Sequence, residues 1–307
     1  MNWNDKQMRL SNIQLENIKL VSDGSFNVMA HCDTVIGKDT FVFIENEKYV
    51  DFIEKNPAIT CVLCTEELIE TMPDTVSGIC FSNSPKLDFF LLHNRLCKTT
   101  EYRRASFKTK IGKNCSISPL AQIDSENVII GDNVKIEEFV SIKANTRIGN
   151  NVTIRACSVI GGDGFEYKCS DDDVYFVEHV GGVEINDFAE IFSNTCICKA
   201  FFPWDNTIIG EFTKVDNLVH IGHACKIGKR NLIVAGAVFC GGATTDDDVY
   251  IGPNATIARI NMAENSKASL GSVVINNVAP GKTMSGNFAV DHLTMLRHSS
   301  KLARGKP

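Results

Sequence analysis

Aliphatic side chains recur at every sixth residue from Ile209 to Ile257, through Val215, Ile221, Ile227, Ile233, Phe239 and Ile251, with Thr245 the one polar position in the series. The same spacing runs through Ile111, Ile117 and Ile123. It then continues, one residue out of phase, through Ile130, Ile136, Ile142, Ile148, Ile154 and Ile160. A third register holds Ile185, Ile191 and Ile197 and passes through Pro203 into the phase of Ile209. Six is neither the roughly 3.6-residue period of a helix nor the alternation of a flat strand. Small or turn-forming residues follow most of the aliphatics, as in Ile130-Gly-Asp-Asn and Ile148-Gly-Asn-Asn. Each hexad therefore reads as a short strand and a turn, its aliphatic side chain facing a shared interior. Three hexads close one coil of a parallel β-helix, expected over residues 103–285. Residues 162–182 do not thread as coils; they are expected to leave the helix as a loop, with Asp171, Asp172 and Asp173 in a solvated turn.

Residues 1–102 lack the hexad. Their pattern predicts a helix over 48–55, a buried strand over 59–64, a helical turn over 66–70, a strand over 77–81 and an amphipathic helix over 86–97. Alternating strands and helices of this kind predict a small α/β domain. Residues 286–307 are expected to form a short helix or tail, basic at Arg297, Lys301, Arg304 and Lys306, suited to the phosphates of coenzyme A, to an acidic carrier protein, or simply to the helix dipole. The fold class is thus mainly β: a parallel β-helix preceded by a small α/β domain.

Composition narrows the functions. A chain of 307 residues with 44% hydrophobic and 22% charged residues is an ordinary globular composition, and a net charge of -6 argues against a nucleic-acid surface. No apolar run resembles a signal peptide or a membrane span, so the expected compartment is the cytoplasm, with no membrane insertion. The twelve cysteines then read as reduced, and Cys115, Cys157, Cys196 and Cys225 as small hydrophobes or turn residues of the repeat. Cys61 and Cys64 have C-x-x-C spacing, but they lie in an apolar run with no second such pair, which favours a structural role over metal or redox chemistry. No bound metal and no permanently bound cofactor are expected.

The repeat resembles that of the hexapeptide acyltransferases. That resemblance, rather than the period, implies a left-handed prism and assembly as a homotrimer. Residues 39–49 and 82–86 look like the amino-terminal domain of the UDP-3-O-acyl-glucosamine N-acyltransferases of lipid A synthesis, in which a Phe, an Asn and a Tyr hold the uracil ring. Carried over, these are Phe43, Asn46 and Tyr49, with Asn83 beside them; a flat ring needs an aromatic face and a fixed donor-acceptor pair. The likeness continues through Ser158 to Tyr167 and is strongest in Lys214 to His223, where the second histidine position is the family's base. The resemblance therefore implies His223 as general base. Asp216, Asn217 and His220 of the same segment and Phe165 of the loop are expected at the acceptor, and Gly242 and Arg259 at the acyl donor.

The repeat gives an independent reason to look at His223. Residues eighteen apart stack at about 4.8 Å on successive coils, which is expected to put Asp205 below His223 as an orienting carboxylate and Gly241 above it as an oxyanion donor. An imidazole with an ordinary pKa of about 6.5 suits proton removal from an attacking amine, with direct transfer in a ternary complex. Departures from the lipid A pattern fall at residues 197–200, which read Ile-Cys-Lys-Ala, and at residues 258–261, where the family's later histidine is missing.

The leading expectation is therefore an N-acyltransferase moving an acyl group from acyl-CoA or an acyl carrier protein to a nucleotide-linked (UDP or dTDP) amino sugar of a surface polysaccharide. The lipid A enzyme itself is the alternative, a non-catalytic nucleotide-sugar-binding solenoid a third, and a zinc-dependent γ-type carbonic anhydrase a fourth. Only His220 and His223 cluster in sequence, which disfavours the last.

Overall fold

The hexads build what their period predicts. A computed structural model describes residues 6–13, 17–286 and 289–303. Among these, short strands stack into three parallel sheets of eight, eight and nine strands, and successive hexads step from one sheet to the next. Ile209, Val215, Ile221, Ile227, Ile233, Phe239, Ile251 and Ile257 are all buried in one continuous core running up the prism. With the repeat, this is a left-handed parallel β-helix.

One residue at most corners takes a left-handed backbone conformation, including Asn114, Asn127, Asn133, Asn145, Asn151, Asn194, Asn254 and Asn265. Asparagine tolerates that region, which costs most other side chains about 1–2 kcal/mol. Phe139, Phe188, Phe212 and Leu218 adopt it as well and are exposed, with Phe188 and Phe212 stacked at 4.7 Å.

Two coils are longer than the rest. Sheet pairing sets Ile160 against Ile197 across the residue 162–182 excursion, within which Tyr167–Cys169 and Val174–Phe176 form an antiparallel hairpin. Asp171, Asp172 and Asp173 are exposed at its tip. The next pairing is Ile197 with Ile221, twenty-four residues on instead of eighteen. The expected rung through Pro203 is absent: Phe201 to Trp204 form a second excursion. Both leave the prism at the same corner.

Ahead of the prism, strands Lys19–Ser22, Gly78–Phe81, Ile59–Cys64, Thr40–Phe43 and Val28–Met29 lie in that order in a five-stranded sheet, parallel except for the first pair. Helices Val50–Lys55 and Pro85–Leu96 and the 3-10 segment Glu66–Thr71 match the expected positions to within a residue or two. Cys61 and Cys64 pack into different apolar clusters on this sheet and do not form a chelating pair. Burial pushes their thiols up to about 12 and about 11.

The sheet and the prism share a core. Phe41, Phe89 and Phe90 cluster with Val177, Val180, Phe201 and Phe202 of the two excursions. Polar groups fix the same junction: Trp204 Nε1 donates to Met29 O at 2.9 Å, Asn94 bonds Phe176 O and Glu178 N, and His93 bridges the Tyr102 hydroxyl and Glu178 O. Arg104, almost entirely buried, donates to Pro203 O, Asp205 O and Asn206 Oδ1. Helix His292–Ala303 follows the last coil; Arg304 and Lys306 of the expected basic tail lie outside the described residues. No helix among the described residues is long and apolar enough to cross a membrane.

Phe239 is the largest rung residue between Ile209 and Ile257 and is fully buried. Phe239→Ala should destabilise the protein by about 3–5 kcal/mol, because the prism's fixed strand spacing limits collapse of the void. Urea unfolding checks this, and a cost under about 1 kcal/mol would contradict the packed-prism description.

Candidate active site

The corner from which both excursions leave faces the amino-terminal sheet across a cleft of about 840 Å³. The hexad places His223 there, at the turn after strand His220–Ile221, and the next rung pairs Val238 and Phe239 with His220 and Ile221. Gly242 N donates to His223 O at 2.8 Å, which locks the two coils at this height. Gly241 lies directly on the imidazole: a Cβ there would collide with Nε2 and Cε1. Among the described residues, the Gly241 N–H has no hydrogen-bond acceptor.

The carboxylate beside His223 comes from the loop. Glu166 Oε2 is 3.3 Å from His223 Nε2, and Lys168 closes on the same carboxylate. Burial alone would raise the Glu166 carboxyl, but hydrogen bonds from His223 and Lys168 outweigh it and hold it down at about 2. His223 is otherwise enclosed by the Phe201 ring at 5.1 Å and the His179 ring at 5.6 Å. A Cβ on Gly164 would stand 2.9 Å from both histidine rings, so only glycine lets the loop lie this close. His223 Nδ1 and His179 Nε2 are buried without a partner among the described residues.

Asp205 does not take the place expected of it. It lines the cleft, but its carboxylate is held by Lys226 and by Asn206 N. The physical reason is the second excursion. Its extra residues make the coil twenty-four long, so the rung beneath His220 is Cys196 and the eighteen-residue column is broken below His223 while intact above it.

Other expected positions divide in two. Phe43, Tyr49, Phe165, His220, Gly242 and Arg259 all line the same cleft as His223 and Gly241. Phe43 is half-buried and packs on Phe89 at 5.0 Å, and Phe165 is 90% exposed at the mouth. Arg259 is already paired with Asp33 at 3.0 Å, tying the prism to the first domain. Asn46, Asn83, Asp216 and Asn217 do not line it. Asn46 caps its own turn, accepting from Lys48 N, and Asn83 is exposed. Asp216 and Asn217 bond to Ala235 N and Ser193 N at the neighbouring corner, at the other end of the strand carrying His220. They satisfy main-chain groups of the turns, the work their residue types do elsewhere in the repeat. Glu166, Lys168 and His179, which sequence reasoning passed over, carry no periodic signal; Glu166 sits in a segment noted for its glycines and aromatic.

Comparison with known proteins supplies the family context. Residues 127–162 and 206–241 match the model of the bacterial transferase hexapeptide (six repeats). Both segments thus carry hexapeptide repeats of that kind. It is 37% identical to the UDP-3-O-acylglucosamine N-acyltransferase of Helicobacter pylori, over 41% of this chain and 44% of the relative. To the enzyme of the same name from Wolinella succinogenes it is 33% identical, over 52% and 50%. The hexapeptide chain thus spans about half the length, or less, of these curated relatives. A solved Arabidopsis UDP-N-acetylglucosamine acyltransferase aligns with a TM-score of 0.47 at 22% identity, over 64% of this chain and 76% of that one.

Three imidazoles around the cleft and junction, His93 and His179 buried and His31 half-buried, are expected to make the fold acid-sensitive. His31, His93 and His179 are each pushed down to about 4, first by burial. An unfolded chain protonates them near their ordinary value of 6.5, so between pH 6.5 and 4 it binds more protons than the folded one. Stability is therefore lost as pH falls through that window. A urea midpoint that stays level from pH 6.5 to 4.5 would show that these rings are not buried in neutral form.

Proposed function

We propose that the protein is an N-acyltransferase that moves an acyl group from a pantetheine thioester to the amine of a UDP-linked glucosamine derivative. The observation that carries this is one cleft holding His223, its Glu166 partner and the unpartnered Gly241 N–H opposite the aromatic wall of Phe43 and Tyr49. The amine nitrogen attacks the thioester carbon and its proton passes to the His223 imidazole. Glu166, ionised down to about pH 2, fixes the ring and stabilises the imidazolium. The Gly241 N–H donates to the oxyanion of the tetrahedral intermediate. Collapse of that intermediate breaks the carbon–sulfur bond, and the departing thiolate recovers the proton from the imidazolium. No acyl-enzyme is needed, since two substrates held in one cleft gain the benefit of proximity.

The name carried by the relatives favours the lipid A acceptor, a UDP-glucosamine already acylated on oxygen, over a dTDP-linked polysaccharide sugar. Exposed Phe165 and Phe52 at the cleft rim suit an acyl chain on that acceptor. Phe43 and Tyr49 serve the uracil ring. Acyl-CoA and an acyl carrier protein are both candidate donors. We further propose that the prism assembles as a homotrimer, which would cover the exposed Phe139, Phe188, Phe212 and Leu218 corners.

Thiol release from a 3-hydroxyacyl carrier protein or acyl-CoA should depend on the UDP-linked amine; release with no acceptor dependence for any pair would favour a non-catalytic binding module. His223→Ala should lower turnover by about 10²–10⁴-fold with UDP-sugar binding retained, and Glu166→Gln should lower it less. Turnover of His223→Ala near the wild-type value would remove the base assignment. Light scattering should give three times the 33.8 kDa subunit mass, and a single-subunit mass would count against the trimer.

A further inference from the structure

Cys196, Ile197 and Cys198 form one strand of the sheet that carries His220. Ile197 is fully buried in the prism, so strand alternation turns both cysteines to the outer face. On the next rung His220 is the direct neighbour of Cys196. The twenty-four-residue coil creates this pairing, because an unbroken eighteen-residue column would have set other residues below His220. The two Sγ atoms and a ring nitrogen of His220 all lie within 4.8 Å of one another, and no other trio of such donors comes that close among the described residues.

We propose that Cys196, Cys198 and His220 bind a single zinc ion. Two thiolates and an imidazole are a borderline-soft set that selects Zn²⁺ over the oxygen-seeking Mg²⁺ or Ca²⁺. Zinc bonds of about 2.3 Å to sulfur and about 2.0 Å to nitrogen put tetrahedral donors at about 3.6–3.8 Å from each other, a closure of at most about 1 Å that side-chain rotation supplies. Binding replaces two thiol protons, which pass to solvent, so it strengthens as pH rises. Cys198 is buried, Cys196 half-buried and His220 exposed on the cleft wall, so the ion is enclosed on its inner side and keeps a fourth position toward the cleft. It cross-links two rungs three residues before His223. The inference is independent of the acyl-transfer reading, because it is tested without substrate.

The purified full-length protein is dialysed against zinc, freed of loose metal and assayed by elemental analysis. About one zinc per chain is expected, with at least a tenfold loss in the Cys196→Ser/Cys198→Ser double variant and no loss in Cys169→Ser, whose thiol is exposed on the hairpin. Cobalt in place of zinc should give a thiolate-to-metal absorption band in the wild type that the double variant lacks. Should the double variant fail to fold, His220→Asn at the exposed ligand is expected to weaken zinc binding at least tenfold. Wild-type protein with well under one zinc per chain, a variant that keeps its zinc, or a Cys196–Cys198 disulfide in the freshly purified protein would each overturn the site.

Discussion

Main-chain hydrogen bonds between successive coils, such as Gly222 N to Phe239 O at 3.0 Å and Gly242 N to His223 O at 2.8 Å, fix the height of every side chain on the prism. The ladder is parallel and continuous, and each inward aliphatic sits on the one below. A corner residue therefore has no freedom to slide. His223 and Gly241 meet because their coils are locked in this way, and the contact is close enough that a single methyl group on Gly241 would displace the ring. Precision at the site comes from the scaffold rather than from the loop that completes it.

The two excursions use that rigidity differently. The hairpin loop is anchored by Asn94 and His93 of helix Pro85–Leu96 and delivers Glu166, with Lys168 on its carboxylate, to the imidazole. The shorter one, pinned by Arg104, supplies Phe201 and Phe202, which wall the cleft and join the core of the amino-terminal sheet. Apolar rings around His223 reduce local polarity and strengthen the one charge partner left to it. The same shell holds the neighbouring His31 and His179 rings neutral well below their ordinary range, so imidazoles a few ångströms apart have different tasks.

Corner chemistry shows where the prism tolerates strain. Asparagine fills eight of the sixteen non-glycine left-handed positions among the described residues at little cost, whereas Phe188, Phe212 and Leu218 hold the same conformation with large apolar side chains in water. Each is unfavourable twice, in backbone conformation and in exposure. A neighbouring prism packed on these corners would offset both costs, which is the physical support for the proposed trimer.

The sequence by itself determined the prism, its inward residues, the stacking of Gly241 on His223 and the elements of residues 48–97, because each is a local or strictly periodic property; the strands Lys19–Ser22, Val28–Met29 and Thr40–Phe43 were not read from it. Phe43 and Tyr49 were legible as one wall of the cleft only through family likeness. Asn46, Asn83, Asp216 and Asn217 were expected at the ligands but lie outside the cleft lining, because short polar residues look alike in sequence whether they cap a turn or face a cavity. The tertiary structure alone decided that Glu166, not Asp205, meets His223, that His179 stands beside it, and that Cys196 and Cys198 face His220. Those three outcomes depend on how far two insertions shift the coil register and where a loop folds back, and a six-residue period carries no information about the segments that interrupt it.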